Sequence, residues 1–144
     1  MVADPGFVVR IPEAIYAEMV AHVLAGYPQE ACGALGSVHG TVVKNYPTAN
    51  VAEHPEDFSI ISEQDIVRIF NDIDSYDGDM IYYHSHPITE AYPSARDIEW
   101  SRRSGYLYII FSLQYHPEPP YARVFRISPE GDVTEGEIAL FSPE

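Results

Sequence analysis

Basic side chains are scarce in this chain: 8 Lys and Arg stand against 22 Asp and Glu, for a net charge of −14. A surface this negative repels phosphate backbones and anionic membranes, which excludes nucleic acid and membrane as expected partners. A partner with a basic face suits it better, although the same surplus also serves plain solubility. Cysteine is almost absent, and with Cys32 alone no internal disulfide can form. No stretch approaches the roughly 18 apolar residues of a membrane span. The opening MVADPGFVVRIP lacks the basic start and long apolar run of a secretory signal. A cytoplasmic protein is the expectation. Repeats and low-complexity tracts are missing as well.

What is present is an ordinary globular balance, 46% apolar and 21% charged residues over 144 positions. That length suits one domain over residues 1–144 with a proper core. Phe7–Ile11 reads as a strand. Pro12 stands where a helix can start, and Ile15, Met19 and Val23 share one face of that helix, which ends near Gly26. Residues 31–38 and 41–46 are small or β-branched, with Gly40 between them as the turn. Ser62 and Asp65 have capping-box spacing, and Ile66, Ile69, Phe70 and Ile73 repeat at helical period, which predicts a helix over 63–74. Met80–Tyr83 is a buried strand leading into His84. Residues 94–104 are helical in pattern, followed by strands over 106–113, 121–127 and 133–140. The order β-α-β-β-α-β-α-β-β-β predicts an α/β (α+β) domain, a mixed sheet with helices packed on it.

The chemistry concentrates in His84-Ser85-His86-Pro87 and Ser94-Ala95-Arg96-Asp97. Side chains alternate along a strand, so His84 and His86 face one way and Ser85 the other. Two imidazoles one strand repeat apart can share one metal ion, and Asp97 can supply a third ligand if residues 87–93 fold back. Three protein ligands with an open fourth position are the arrangement of a catalytic zinc site. Two plainer readings compete. A lone H-x-H is common by chance, and Ser94 with Asp97 also fits the S-x-x-[DE] pattern that starts a helix. Capping and catalysis are compatible, because a capping hydroxyl lies beside the positive end of the helix dipole. A proton carrier is also needed. Glu30, at the edge of the small-residue run Ala31–Gly36, is one candidate among many carboxylates, and spacing alone does not select it.

Glu30 together with His84-x-His86-x7-Ser94-x-x-Asp97 resembles the signature of the JAMM (MPN+, Mov34-type) zinc metalloprotease family. Pro87 after the second histidine is typical of it too. The resemblance spans nearly the whole chain. It implies a curved sheet flanked by helices, related to the cytidine deaminase fold. It implies one zinc ion per chain, with His84, His86 and Asp97 as ligands. Glu30 then looks like the general acid/base and Ser94 like the hydroxyl that steadies the oxyanion. Family members cut after the C-terminal Gly-Gly of ubiquitin-like proteins. The phrases Tyr27–Gly33 and Tyr83–Ser94 look like stand-alone bacterial members that release cysteine from a small sulfur-carrier protein. Deconjugation of a ubiquitin-like modifier from lysines is the alternative, and a non-catalytic module that binds such a tail is a third reading. Cys32 lies beside Glu30, but within a small apolar run a lone cysteine is first a core residue. Trp100 belongs either to the core or to the groove behind Asp97.

Overall fold

The structure, a computed structural model, describes residues 7–143. Its elements are β1 (Val8–Pro12), α1 (Glu13–Gly26), β2 (Cys32–Val38), β3 (Thr41–Thr48), α2 (Glu63–Asp74) and β4 (Asp79–His86). α3 (Ala95–Ser104), β5 (Leu107–Ser112), β6 (Tyr121–Ile127), β7 (Val133–Glu135) and β8 (Glu137–Phe141) follow. The expected helices and strands are all present, with ends shifted by a residue or two except at β4, which runs on through His86. Among the described residues, no helix is long and apolar enough to cross a membrane.

All eight strands form one mixed sheet in the order β7-β6-β5-β4-β2-β3-β1-β8. β4 pairs antiparallel with β2 and parallel with β5, so it lies at the centre. The strand expected over 133–140 is two strands, a correction that explains the sheet's curvature. Gly136 separates them. Its N–H donates to the Val124 carbonyl of β6, while the next N–H, of Glu137, donates to the Phe7 carbonyl just before β1. Consecutive residues thus bond to opposite ends of the strand order, and the sheet curls until its two edges meet. A Cβ on Gly136 would lie 2.6 Å from the Phe7 carbonyl oxygen, closer than any side chain fits. Alternating hydrophobicity gave no sign of this break, because both pieces keep a strand-like pattern.

Two clusters of buried side chains, one on each side of β4, follow from strand alternation. Ile81 and Tyr83 pack with Leu35, Ile109 and Phe111 and with Met19 and Val23 of α1. Met80 and Tyr82 pack with Ala34, Tyr108 and Ile69 and Ile73 of α2. Ser62 caps α2 by accepting the Asp65 N–H at 3.1 Å, and the Asp65 carboxylate pairs with Arg68. Phe70, expected on the buried face of α2, is 51% exposed: Ile69 and Ile73 fill the sheet contact without it.

Candidate metal centre

His84 and His86 continue the row begun by Met80 and Tyr82, at the C-terminal end of β4. This end of the row is closed by α3 rather than α2. The α3 N-terminus carries a full capping box: Ser94 Oγ accepts the Asp97 N–H at 3.1 Å, and Asp97 Oδ2 accepts the Ser94 N–H at 2.9 Å. The box locks the Asp97 carboxylate in the first turn, facing the strand. Asp97 Oδ2 lies 3.0 Å from His86 Nε2, and Oδ1 lies 3.5 Å from His84 Nε2. The potential ligand atoms of the three residues all fall within 4.8 Å of one another, and all three residues are buried. Among the described residues this is the one group of three or more His, Cys, Asp or Glu side chains so placed. The capping and metal-binding readings of Asp97 are therefore both satisfied by the same side chain.

Hydrogen bonding decides which imidazole atoms are free. His86 Nδ1 lies 2.9 Å from the Glu90 carbonyl in the loop that folds back from β4 to α3, which orients Nε2 toward Asp97. A metal-ligating histidine is commonly held this way by its second nitrogen. His84 is only 1% exposed, yet neither ring nitrogen has a hydrogen-bond partner. Its ring packs against Tyr108 at 4.7 Å and His86 at 4.8 Å between centroids. A buried polar group without a partner is costly, about 1–3 kcal/mol, unless a metal takes it up. The donor set of two imidazoles and one carboxylate is one that zinc accepts. Burial alone would neutralise the Asp97 carboxyl, but the two histidines and the Ser94 N–H outweigh it and hold its pKa well below the usual range. For His86, burial lowers the pKa, but Asp97 and the Glu90 carbonyl outweigh it and raise it overall.

Glu30 reaches the same place by long-range pairing. Cys32 is opposite His84 in the β2–β4 ladder, so two steps further along the antiparallel register Glu30 meets the level of His86. The joint is fastened by Ser85, the middle residue of the His pair, which points to the other face as alternation requires. Ser85 Oγ accepts the Ala31 N–H at 2.9 Å, and the Ser85 N–H donates to the Ala31 carbonyl at 3.0 Å. Glu30 is 8% exposed. Burial pushes its carboxyl pKa up, only partly opposed by His84, His86 and a hydrogen bond from Ser59. Ser94 lies at the exposed rim. Its Oγ already accepts a backbone N–H, which leaves its own O–H free to donate outward.

An apolar cavity of about 90 Å³ adjoins the cluster, with His84 and Asp97 at one end and Phe58, Ile66, Trp100 and Tyr108 among its walls. Trp100 is 40% exposed and packs edge-on against Tyr82, so it is a groove residue rather than a core one. Cys32 is buried, and burial pushes its thiol pKa up, away from a reactive thiolate. Ser59, Ser85 and the Glu90 carbonyl were not singled out by sequence reasoning. Of these, only Ser85 carried a signal: it sits between two ligands on a strand and must face the opposite side.

Comparison with known proteins bears on the same residues. The family described as prokaryotic homologs of the JAB domain matches residues 12–128. A CysO-cysteine peptidase of Mycobacterium tuberculosis is 32% identical over 124 residues, covering 83% of this chain and 82% of that protein. A desampylase of Haloferax volcanii is 38% identical over 88 residues, covering 59% of this chain and 63% of that protein. The solution structure of a protein from Desulfitobacterium hafniense superposes with a TM-score of 0.80 at 32% identity, covering 94% of each chain.

Proposed function

The chain belongs to the prokaryotic homologs of the JAB domain, and from that membership we propose a role for each residue of the centre. The protein is a metallopeptidase that hydrolyses the bond after the C-terminal Gly-Gly of a small sulfur-carrier or ubiquitin-like protein. His84, His86 and Asp97 hold one zinc ion. Bound there, zinc supplies Lewis-acid polarisation of the scissile carbonyl and a water whose pKa falls toward about 7. Glu30 takes a proton from the attacking water and delivers it to the leaving amine as the C–N bond breaks. A raised carboxyl pKa suits that exchange, because a proton carrier works best near the ambient pH. Ser94 donates its free O–H to the oxygen that gains negative charge. The single observation that carries the assignment is His84, buried and unpartnered beside two further ligand atoms.

The likeness to the cysteine peptidase supports a carrier–cysteine adduct as substrate, with cysteine as the leaving amine. The likeness to the desampylase supports the second reading, release of a ubiquitin-like modifier from lysines. The test offers both: a carrier ending in Gly-Gly with cysteine on its terminal carbonyl, and the same carrier joined to a lysine side chain. The expected result is about one zinc per chain, cleavage of the cysteine adduct, and loss of cleavage with chelator or with Glu30→Gln in a folded protein. Preferential cleavage of the lysine conjugate selects the second reading. Binding without cleavage of either selects a tail-binding module, and activity in a metal-free preparation overturns the zinc assignment.

A further inference from the structure

Asn50 stands in the loop that joins β3 to α2, where that loop passes Glu30. Its amide is saturated. Nδ2 donates to the Glu30 carbonyl at 2.9 Å and to the Phe58 carbonyl at 2.9 Å, with the Pro55 carbonyl further off at 3.5 Å. Oδ1 accepts the N–H groups of Ala52 and Ile60, each at 3.0 Å. A primary amide has two donor hydrogens and one oxygen with two lone pairs, so this side chain is fully used. The arrangement also distinguishes asparagine from aspartate. Two carbonyl oxygens face Nδ2, and a carboxylate would turn a bare oxygen toward them.

The bonds converge on Glu30 from the loop. The Glu30 N–H donates to the Pro55 carbonyl at 2.8 Å, and its carbonyl receives Asn50. Beyond it, Ser85 holds the Ala31 N–H. The backbone on both sides of the carboxylate is thus pinned, on one side by the loop and on the other by β4. The same amide ties Phe58 and Ile60, which flank Ser59 and form part of the cavity wall beside His84 and Asp97. Arg96 of α3 covers the Phe58 ring at 4.6 Å, joining this loop to the helix that carries Asp97.

We propose that Asn50 is a positioning residue for the hydrolysis: it fixes Glu30 against the metal ligands and makes the loop over residues 50–60 one rigid unit with it. The inference rests on the assignment of Glu30 as proton carrier. A misplacement of about 1 Å in a catalytic group costs on the order of a hundredfold in rate, and a removed clamp permits displacements of that size.

The test compares zinc-loaded wild-type, Asn50→Ala, Asn50→Asp and Glu30→Gln chains on the carrier–cysteine adduct. Asn50→Ala removes the whole clamp. Asn50→Asp keeps an acceptor for Ala52 and Ile60 and loses the donor to Glu30. Both are expected to lose roughly tenfold to a hundredfold in kcat, with zinc content unchanged and KM changed less than kcat. In the wild-type chain, the backbone amides of Glu30, Ala52 and Ile60 are expected to exchange with solvent together and slowly. Retained kcat in a folded Asn50→Asp chain overturns the inference, as does a loss confined to KM. Open-loop exchange at Ala52 and Ile60 overturns it without any variant. If the wild-type chain is active and Glu30→Gln is dead while the Asn50 variants work, only this inference fails. If Glu30→Gln is active, the assignment of Glu30 fails first.

Discussion

Replacing His84 by leucine should stabilise the protein without metal and destabilise it with metal. The side chain is 1% exposed and neither ring nitrogen has a partner. A neutral imidazole carries one donor and one acceptor. Each left unpaired in the interior costs about 1–3 kcal/mol. Leucine is close to histidine in bulk, and a swap that conserves volume costs under about 1.5 kcal/mol. The ring contacts with Tyr108 and His86 forfeit a further amount, about 0.5–1.5 kcal/mol for an aromatic pair. The balance favours the leucine variant by about 1 kcal/mol or more in chelator, from the unpaired-group and packing costs together. In zinc the order reverses. A site holding free zinc at roughly a thousand times its Kd gains about 4 kcal/mol, and a chain lacking one ligand gains far less. Urea unfolding followed by the fluorescence of Trp100, with chelator and again with excess zinc, reads both signs. The reasoning is refuted if His84→Leu lowers the metal-free stability by about 2 kcal/mol or more, since the imidazole would then be satisfied without any ion.

Ser94 separates capping from catalysis: Ser94→Ala should cost about 1 kcal/mol through the lost cap and at least about a hundredfold in kcat through the lost oxyanion donor. Ser94→Asp should keep the cap and the thermal midpoint while losing the rate, and an active aspartate variant would remove Ser94 from the mechanism. Gly136→Ala should destabilise by about 1–3 kcal/mol, the usual cost of overpacking, since its new Cβ would lie 2.6 Å from the Phe7 carbonyl oxygen; a midpoint equal to wild type in urea would contradict the crowding. Cys32→Ser should leave kcat within a few-fold of wild type, whereas loss of activity with zinc retained would revive a thiol nucleophile.

Local signals were legible wherever one element satisfied its own pattern. The α2 helix was bounded correctly over 63–74 because the Ser62 cap and the row Ile66, Ile69 and Ile73 act within a few residues. The pairing of His84 with His86 followed from strand alternation, which needs no knowledge of the neighbouring strand. Glu30 was different. Its place depends on the Cys32–His84 register across the sheet, and nothing near residue 30 encodes that pairing. Family resemblance supplied it where physics from sequence did not. Phe70 and the division at Gly136 failed for a related reason. A periodic pattern gives the face of an element, not which partner covers it or how far the cover extends. Asn50 was invisible because an asparagine in a loop is an ordinary turn former, and only the closed loop shows all its bonds in use.

The β1–β8 ladder joins Val8 to Glu137 and Pro12 to Phe141, while β1 meets β3 at Arg10 and Thr41 alone. During synthesis, then, β1 leaves the ribosome long before its main partner exists. At about 5–20 residues per second, β1 waits on the order of ten seconds. Until β8 arrives, β1 and the neighbouring edge of β3 present unpaired backbone groups, the kind of edge that recruits other chains. The nascent protein is therefore most exposed to aggregation and to chaperone capture just before its final strand closes the sheet.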